Sequence, residues 1–164
     1  MAKSLLDPRI DVLVQMYDQA FDRPAWHGPN LRNALRGLKL PEALWRPAPN
    51  RHNIWEIALH CAYWKYAIWR RITGAKRGAF PRKPSDWPAL PSAQNSKAWS
   101  DDLALLEHWH AQLRNEILRF PPARFSKKPA GSSVSFLRTI YGISSHDLYH
   151  AGQIQLLKRL QRAK

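Results

Sequence analysis

Apolar residues recur at intervals of three and four along four long segments of the chain, which is the spacing of a buried helical face. This periodicity predicts helices over residues 8–22, 52–73, 96–120 and 143–162. No segment shows the sustained alternation of apolar and polar residues, bounded by hairpin turns, that indicates β-strands. The pattern therefore predicts an all-α protein built as a four-helix bundle.

Glycine and proline residues divide the rest of the chain into connections of unequal length. A short helix is expected near residues 30–38, with a further turn starting at Pro41, and residues 134–141 also have helical character. Gly142 is expected to interrupt the chain between that segment and the last long helix. Residues 75–94 contain five glycines and prolines and predict a long irregular connection, which in a compact domain is often functional.

The composition is that of a soluble globular protein, and the length of 164 residues predicts a single domain over residues 1–164. The one cysteine, Cys61, excludes an internal disulfide and a cysteine-based structural zinc site. Its thiol is expected to be buried, and a reducing, cytoplasmic environment is predicted. Residues 1–19 lack the apolar stretch and cleavage site of a signal peptide. No segment approaches the roughly 18 apolar residues of a membrane span, so no membrane association is expected.

The net charge of +14 is high, and many of the basic residues are concentrated in one stretch. Residues 65–83 contain seven lysines and arginines and no acid. Such a stretch favours an anionic ligand, or it forms a solvated surface that keeps the protein soluble. Nucleic-acid binding is a weaker alternative, because the stretch lies on no recognisable nucleic-acid module.

Two histidines lie four residues apart on the apolar stripe of the last predicted helix. His146 and His150 therefore occupy one helical face, about 6 Å apart, a spacing that suits two ligands of one metal ion. A third histidine, His60, lies on the apolar stripe of the helix predicted over residues 52–73. Three inward imidazoles are typical of an open, catalytic metal site. The alternative is that each is a core histidine satisfied by hydrogen bonds.

The run His-Asp-Leu-Tyr-His over residues 146–150 is close to the H-E-x-x-H pattern of zinc proteases, with Asp147 in the place of the glutamate. Residues 151–164 contain no histidine, acid or cysteine, whereas such proteases commonly take their third ligand from downstream. The run is therefore not interpreted as a protease motif. Asp147 is an acceptor that orients a histidine, an anchor on the side of the helix, or an ordinary polar contact.

Three further residues have side chains suited to a role beside such a site. Glu56, four residues before His60, would orient that ring or act as a base, or else support the N-terminus of its helix. Gln153, two turns after His146, would hydrogen-bond to a ligand or pack between helices. Glu56 and Gln153 are the candidate catalytic residues. His110 lies on the apolar stripe of another helix and is considered for a role near the metal.

Four stretches of the sequence resemble one known family. RHNIWEIALHCAYWKYAIWRRITG (51–74) and GISSHDLYHAGQIQLLKR (142–159) are similar to helices of the DinB/YfiT-like family of small metal-binding four-helix proteins. The shorter WHGPNL (26–31) and PEALWRPAPN (41–50) resemble the opening region of that family. The resemblance covers about residues 10–160, and its most specific parts are the histidine of 51–74 and the H-x-x-x-H-x-G-Q-I run.

The resemblance implies a metal site, a metal and an assembly. The family triad has one histidine from the second long helix and two from the last, which correspond here to His60, His146 and His150. Nickel, zinc or iron is implied as the divalent metal ion, and a homodimer as the assembly. Characterised relatives include thiol S-transferases and an isomerase that use low-molecular-weight thiols such as bacillithiol or mycothiol. Others are known only as DNA-damage-inducible proteins.

The histidines and the resemblance together favour a metal-dependent thiol S-transferase that acts on a small-molecule substrate. The basic residues of 65–83 would then receive the carboxylates of a thiol cofactor. A metal-dependent hydrolase, in which the ion activates water, is the first alternative. A basic, non-catalytic nucleic-acid-binding or stress-response protein is the second.

Overall fold

Helices account for most of the chain in the computed structural model, which describes residues 6–162. They are, in chain order, α1 (Pro8–Phe21), α2 (Leu31–Leu35), α3 (Leu40–Leu44), α4 (Ile54–Thr73), α5 (Ser96–Arg119) and α6 (Phe136–Arg162). A 3₁₀ turn, Pro122–Arg124, follows α5. The described residues include no β-strand, so the prediction of an all-α fold is confirmed.

The four long helices pack together as a bundle. α4 packs against α5 and α6, and α1 packs against the same two helices. The short helices lie on the outside, α2 against α6 and α3 against α4. One apolar cluster forms around Trp55 and Leu106, and a second forms around Tyr17, Leu113 and Ile140. The predicted bundle architecture is therefore the one observed.

Local capping signals set several of the helix ends. The side chain of Asp7 accepts from the backbone N–H of Arg9 at the start of α1, where Pro8 is the first helical residue. Asn53 begins α4 with a reciprocal capping box, and Gly74 ends it in the left-handed conformation at φ 77°. The first three predicted long helices start and end within two residues of the observed bounds.

The predicted interruption at Gly142 was wrong, because α6 runs unbroken from Phe136. Phe136, Ile140 and Ile143 are all buried, and they lie on one helical face that extends past the glycine. A glycine inside a helix costs only about 1 kcal/mol relative to alanine. Burial of three large side chains outweighs that cost, so tertiary packing decides the conformation here.

The chain between α1 and α4 contains two short helices. The helix predicted over residues 30–38 ends earlier than expected, since α2 stops at Leu35. Gly37, at φ 75°, turns the chain, and α3 then begins at Leu40, beside the Pro41 that was expected to start a further turn. These two helices pack onto the bundle from outside and contribute no histidine to the site described below.

The long connection between α4 and α5 is irregular, as predicted, and it folds back onto the bundle. Phe80 and Pro88 are buried within it. Asp86 has φ 71°, a left-handed conformation that aspartate and asparagine adopt more readily than other non-glycine residues. This path brings the main chain at Asp86 and the ring of Trp87 against His60 on α4.

Residues 1–5 and 163–164 lie outside the described part of the chain. These residues include both ends of the domain predicted over 1–164. They also include the start of the segment that was predicted not to be a signal peptide. Among residues 6–162, no helix has both the length and the apolar character needed to cross a bilayer. The assignment of the whole chain to one domain stays a prediction.

Candidate metal centre

Three histidine rings meet between α4 and α6 and direct their Nε2 atoms to one region. His60 comes from α4, and His146 and His150 come from successive turns of α6. The Nε2 atom of His146 lies 3.0 Å from that of His60 and 3.2 Å from that of His150. His60 and His150 are buried and His146 is half-buried. The structure thus brings together the three residues that the sequence singled out as ligands.

The separations of these nitrogens fit a single divalent ion. Imidazole nitrogens bound to zinc at about 2.0–2.1 Å lie about 2.8–3.4 Å from one another, depending on whether the angles are octahedral or tetrahedral. The observed separations of 3.0 and 3.2 Å fall within that interval. The donor set, three imidazoles without a thiolate, suits nickel, zinc or iron.

Two of the rings have their tautomer fixed by an acceptor on the far nitrogen. Nδ1 of His60 donates to the carbonyl oxygen of Asp86 at 2.7 Å, and Nδ1 of His150 donates to Oε1 of Gln153 at 2.7 Å. Because such oxygens only accept, both Nδ1 atoms carry the proton and each Nε2 keeps a lone pair. Two lone pairs that face one point are suited to a cation. Hydrogen bonding of core histidines, the alternative interpretation, explains this convergence less well.

The third ring has a different environment at its far nitrogen. Nδ1 of His146 is buried and has no hydrogen-bond partner among residues 6–162. Its Nε2 is the atom that faces both of the other rings. His146 is therefore held in the triad by packing on α6, whereas His60 and His150 are also held by hydrogen bonds.

Burial favours the neutral form of all three rings. Burial first, and then the neighbouring histidines, lower the pKa of His146 to about 3 and that of His150 to about 4. Burial also lowers the pKa of His60, against the opposing effect of its contacts with Asp86. Since imidazole binds metal ions in its neutral form, the three side chains are competent ligands near neutral pH.

The irregular connection between α4 and α5 forms one wall of the site. The ring of Trp87 stacks on His60 with centroids 3.9 Å apart, and it stacks on His52 at 3.6 Å. The Nε1–H of Trp64, on α4, donates to the carboxylate of Asp86 at 2.7 Å. The ring of Trp64 also lies 6.1 Å from that of His146. Two tryptophans and one loop aspartate therefore enclose the histidines.

Comparison with known proteins identifies the family of the chain. A family model described as the DinB superfamily matches residues 25–154, which include all three histidines. The chain belongs to the DinB superfamily. The resemblance inferred from the helix motifs is thereby confirmed. No curated protein and no solved structure matches the chain.

In this DinB superfamily member, Glu56 is held at the start of α4. Its carboxylate accepts from Nη1 of Arg46 at 2.7 Å and from the backbone N–H of Asn53 at 3.1 Å, and it lies 3.2 Å from Nδ1 of His52. These contacts hold the Glu56 carboxylate at the N-terminus of α4, where a negative charge stabilises the helix. Both carboxylate oxygens have these partners, which agrees with the alternative of support at the helix N-terminus, and the catalytic role assigned to Glu56 from the sequence stays a prediction.

Gln153 contacts a candidate ligand directly. Its Oε1 accepts from His150, and its Nε2 donates to the hydroxyl of Tyr149 at 3.0 Å. The amide is thus fixed at both ends and holds the ring of His150 in its orientation. These contacts make Gln153 a positioning residue, and the catalytic role assigned to it from the sequence stays a prediction.

A buried ion pair joins α4 to α6 close to the triad. Lys65 and Asp147 are both 0% exposed, and Nζ of Lys65 donates to the carboxylate of Asp147. Nζ also donates to the hydroxyl of Tyr17 at 3.3 Å and lies 3.5 Å from Nδ1 of His110. Lys65 is therefore not part of a solvated basic surface. Asp147 accepts from Lys65 and not from a histidine, so it anchors α6 to α4, which is one of the alternatives expected for it.

His110 and Cys61 are both inside the bundle. The ring of His110 stacks on Tyr17 and Phe21, and burial, followed by the charge of Lys65, lowers its pKa to about 2. His110 belongs to the ion-pair cluster, so its expected role near the metal has no support from these contacts. Cys61 is fully buried, as predicted, and burial raises the pKa of its thiol well above the usual value.

Two residues of this site were missed from the sequence. Asp86 and Trp87 lie in the connection predicted to be irregular, of a kind that is often functional, but nothing in the sequence distinguished them from their neighbours. Asp86 acts through its main-chain carbonyl, which every residue has. The only available signal was the density of prolines and glycines around them.

Proposed function

We propose that this chain is a divalent-metal-dependent enzyme whose reaction is thiol S-transfer to a small-molecule substrate. One observation supports the proposal above the others. The Nε2 atom of His146 lies 3.0 and 3.2 Å from those of His60 and His150, and the latter two have lone pairs fixed by Asp86 and Gln153. Membership of the DinB superfamily supports the same interpretation.

The residues that would hold the ion are His60, His146 and His150. When bound, nickel, zinc or iron acts as a Lewis acid that lowers the pKa of a thiol or of water. Three protein ligands are the number found in open catalytic sites, whereas closed structural zinc sites have four.

The surrounding residues orient the ligands and limit the access of water. Gln153 and the main chain at Asp86 hold two imidazoles, and the ring of Trp87 covers one face of His60. His146 is the most exposed of the three histidines, so a substrate would approach on its side.

The reacting thiol would come from a bound molecule. Cys61 is the one cysteine of the chain, is 0% exposed, and has a pKa raised by burial. A thiol of that kind is mostly protonated and out of reach of a substrate. A low-molecular-weight thiol is therefore part of the proposal.

A metal-dependent hydrolase is the alternative that uses the same three histidines, with water in the place of the thiol. A panel of substrates, each tested with and without added thiol, separates the two reactions. The non-catalytic alternative, nucleic-acid binding or a stress-response role, is supported only by the net charge of +14. It predicts salt-sensitive binding that persists when the histidines are replaced.

The first experiment is elemental analysis of the purified chain beside two variants. His146→Ala removes a proposed ligand, and His108→Ala is the matched control, since His108 is exposed on α5. We expect about one divalent ion per chain in the parent and in the control, and little in His146→Ala. Equal metal content in all three would refute the proposed site.

The second experiment measures activity with the same proteins. Low-molecular-weight thiols are combined with a panel of electrophilic substrates, and loss of free thiol is followed. We expect a rate that depends on added metal, is retained in His108→Ala and is lost in His146→Ala. Substrate turnover that proceeds equally without thiol would favour the hydrolase.

The assembly and the location complete the proposal. We propose a homodimer, which light scattering would test, and exposed apolar side chains on α1 and α6 are consistent with it; they are Val12, Met16, Leu156 and Leu160. A cytoplasmic location is proposed from the single cysteine, which suits a reducing environment. Neither statement is needed for the metal chemistry.

A further inference from the structure

Some basic side chains of residues 65–83 form ion pairs in the structure, and others have no carboxylate partner. Lys65 pairs with Asp147, and Arg82 pairs with Asp102. Among the described residues, no carboxylate pairs with the three arginines Arg70, Arg71 and Arg77. Seven of the chain's thirteen other arginines do have a carboxylate partner: Arg9, Arg23, Arg32, Arg46, Arg82, Arg114 and Arg119.

Arg70, Arg71 and Arg77 line one cavity. Its volume is about 330 Å³, and the opposite side is formed by the loop of residues 129–132. No acidic residue lines this cavity. Three arginines that line one concave space, without an acid among them, create a local positive potential that an anion would neutralise.

The local fold explains how the arginines come together. Arg70 and Arg71 lie in the last turn of α4, and Gly74 ends the helix in the left-handed conformation so that the chain turns back. The backbone N–H of Gly78 then donates to the hydroxyl of Tyr66 at 3.1 Å, which ties the returning segment to α4. Arg77 precedes this anchor and is thereby held beside the helix end.

We propose that this cavity binds the oxyanion group of a small molecule, a phosphate or a carboxylate. The planar guanidinium group donates two parallel hydrogen bonds to either anion, so the shared chemistry is a compact group of oxygen acceptors. The site is concave and local. This shape fits a small anion better than the extended backbone of a nucleic acid, which would need a continuous basic stripe.

The proposed anion site is separate from the histidine triad. Arg71 follows His60 by eleven residues on the same helix, which corresponds to about 16 Å along the helix axis. The guanidinium of Arg71 lies over the ring of Trp64, at 5.4 Å from its centroid, and Trp64 borders the triad. No histidine of the triad lines the cavity, so the inference goes beyond the proposed function and its test does not require a bound metal.

Isothermal titration calorimetry of the full chain tests the proposal, with phosphate, pyrophosphate and citrate as probes. The variants are Arg70→Gln and Arg77→Gln, with Lys76→Gln as the matched control, because Lys76 lies in the same turn and does not line the cavity. Arg77 is exposed, so its replacement leaves the fold intact even if Arg70→Gln does not. The titrations are done at about 0.1 M ionic strength, where the screening length is about 10 Å.

We expect saturable binding of one anion per chain, weakened at least about tenfold by either arginine replacement and less than about twofold by Lys76→Gln. The relative affinity for pyrophosphate and citrate then identifies the source as a phosphate or a carboxylate. The His146→Ala variant should bind the anion with the same affinity as the parent. This result separates the anion site from the outcome of the metal experiment.

Three results would overturn the proposal. The first is the absence of saturable binding of any of the three probes, and the second is an equal loss in Lys76→Gln, which would indicate general charge attraction. The third is binding of a duplex oligonucleotide that is reduced alike by all three replacements, while no small anion binds. That result would assign the arginines to a polyanion instead.

Discussion

Replacing Lys65 by methionine should destabilise the fold strongly, because it leaves Asp147 buried without a counter-charge. Both side chains are 0% exposed. Oδ1 of Asp147 has no hydrogen-bond partner among residues 6–162, so Lys65 provides the polar contact of this carboxylate through Oδ2. Removing one partner of a buried ion pair costs about 3–5 kcal/mol in free energy of unfolding.

The loss expected for Lys65→Met is a large part of the total free energy of unfolding. A domain typically has a free energy of unfolding of about 5–15 kcal/mol, and in one of this size each kcal/mol lowers Tm by about 2–4 °C. Lys65→Met should therefore lower Tm by about 6–20 °C. The double replacement Lys65→Met with Asp147→Leu removes both charges. It should recover much of the loss, because the penalty comes from the charge that remains alone.

Urea unfolding followed by circular dichroism, in the presence of a chelator, measures these differences without any contribution from metal. Lys76→Met is the matched control, since Lys76 is exposed, and it should change the free energy of unfolding by less than about 0.5 kcal/mol. The reasoning is refuted if Lys65→Met costs less than about 1 kcal/mol, or if the double variant is no more stable than Lys65→Met.

Two further predictions concern the histidines. Gln153→Leu removes the acceptor of His150 Nδ1 and should weaken zinc binding about 10–100-fold, measured by competition with a chromophoric chelator, whereas Gln153→Glu keeps an acceptor and should bind more tightly than Gln153→Leu. Equal affinities in all three proteins would exclude an orienting role. His110 has a folded pKa of about 2, below the unfolded value of about 6.5, so the unfolded chain takes up a proton that the folded chain does not. Stability should therefore fall as the pH drops below about 6.5, by up to about 1.4 kcal/mol per pH unit from this group. Urea unfolding between about pH 6.5 and 4.5 measures how the free energy of unfolding changes with pH. His110→Gln should lack the contribution of His110 to that change, and an equal pH dependence in the variant and the parent would contradict the low pKa of His110.

The long helices could be predicted because their signals are local. Apolar spacing and capping residues such as Asn53 and Gly74 act within a turn or two, so the bounds of α4 follow from its own sequence. The prediction of an interruption at Gly142 was wrong because the low helix propensity of glycine competes with packing against residues far along the chain. The start of α6 at Phe136 depends on that packing, which the local pattern does not contain.

The ligands of the site could be predicted more readily than the groups that orient them. A histidine on an apolar stripe is visible in the sequence, and so is Gln153 one turn after His150. Asp86 contributes a carbonyl oxygen from a position 26 residues after His60, and only the path of the loop brings it there. Sequence patterns identify side-chain types, whereas this contact depends on backbone conformation.

The burial of Lys65 could in principle have been predicted, because Lys65 lies at a position of the apolar helical pattern of α4. It lies four residues after Cys61 and three before Ile68, both of which are buried on α4. Asp147 occupies the matching kind of position on α6, three residues after the buried Ser144. Opposite charges on two inward stripes predict a buried pair. Counting Lys65 with its basic neighbours concealed that pattern.

The triad is held in ligand geometry by parts of the fold that do not involve a metal ion. Apolar packing joins α4 and α6, the pair of Lys65 and Asp147 links the same two helices, and Gln153 and Asp86 fix two rings. In small zinc domains the ion itself supplies the energy of folding, because the unfolded chain has no preformed site. Here contacts among the protein's own residues pack the two helices together and orient two of the three histidine rings. Under the proposed function, three ligands held in this way would suffice and would leave the remaining coordination positions of the ion to a substrate.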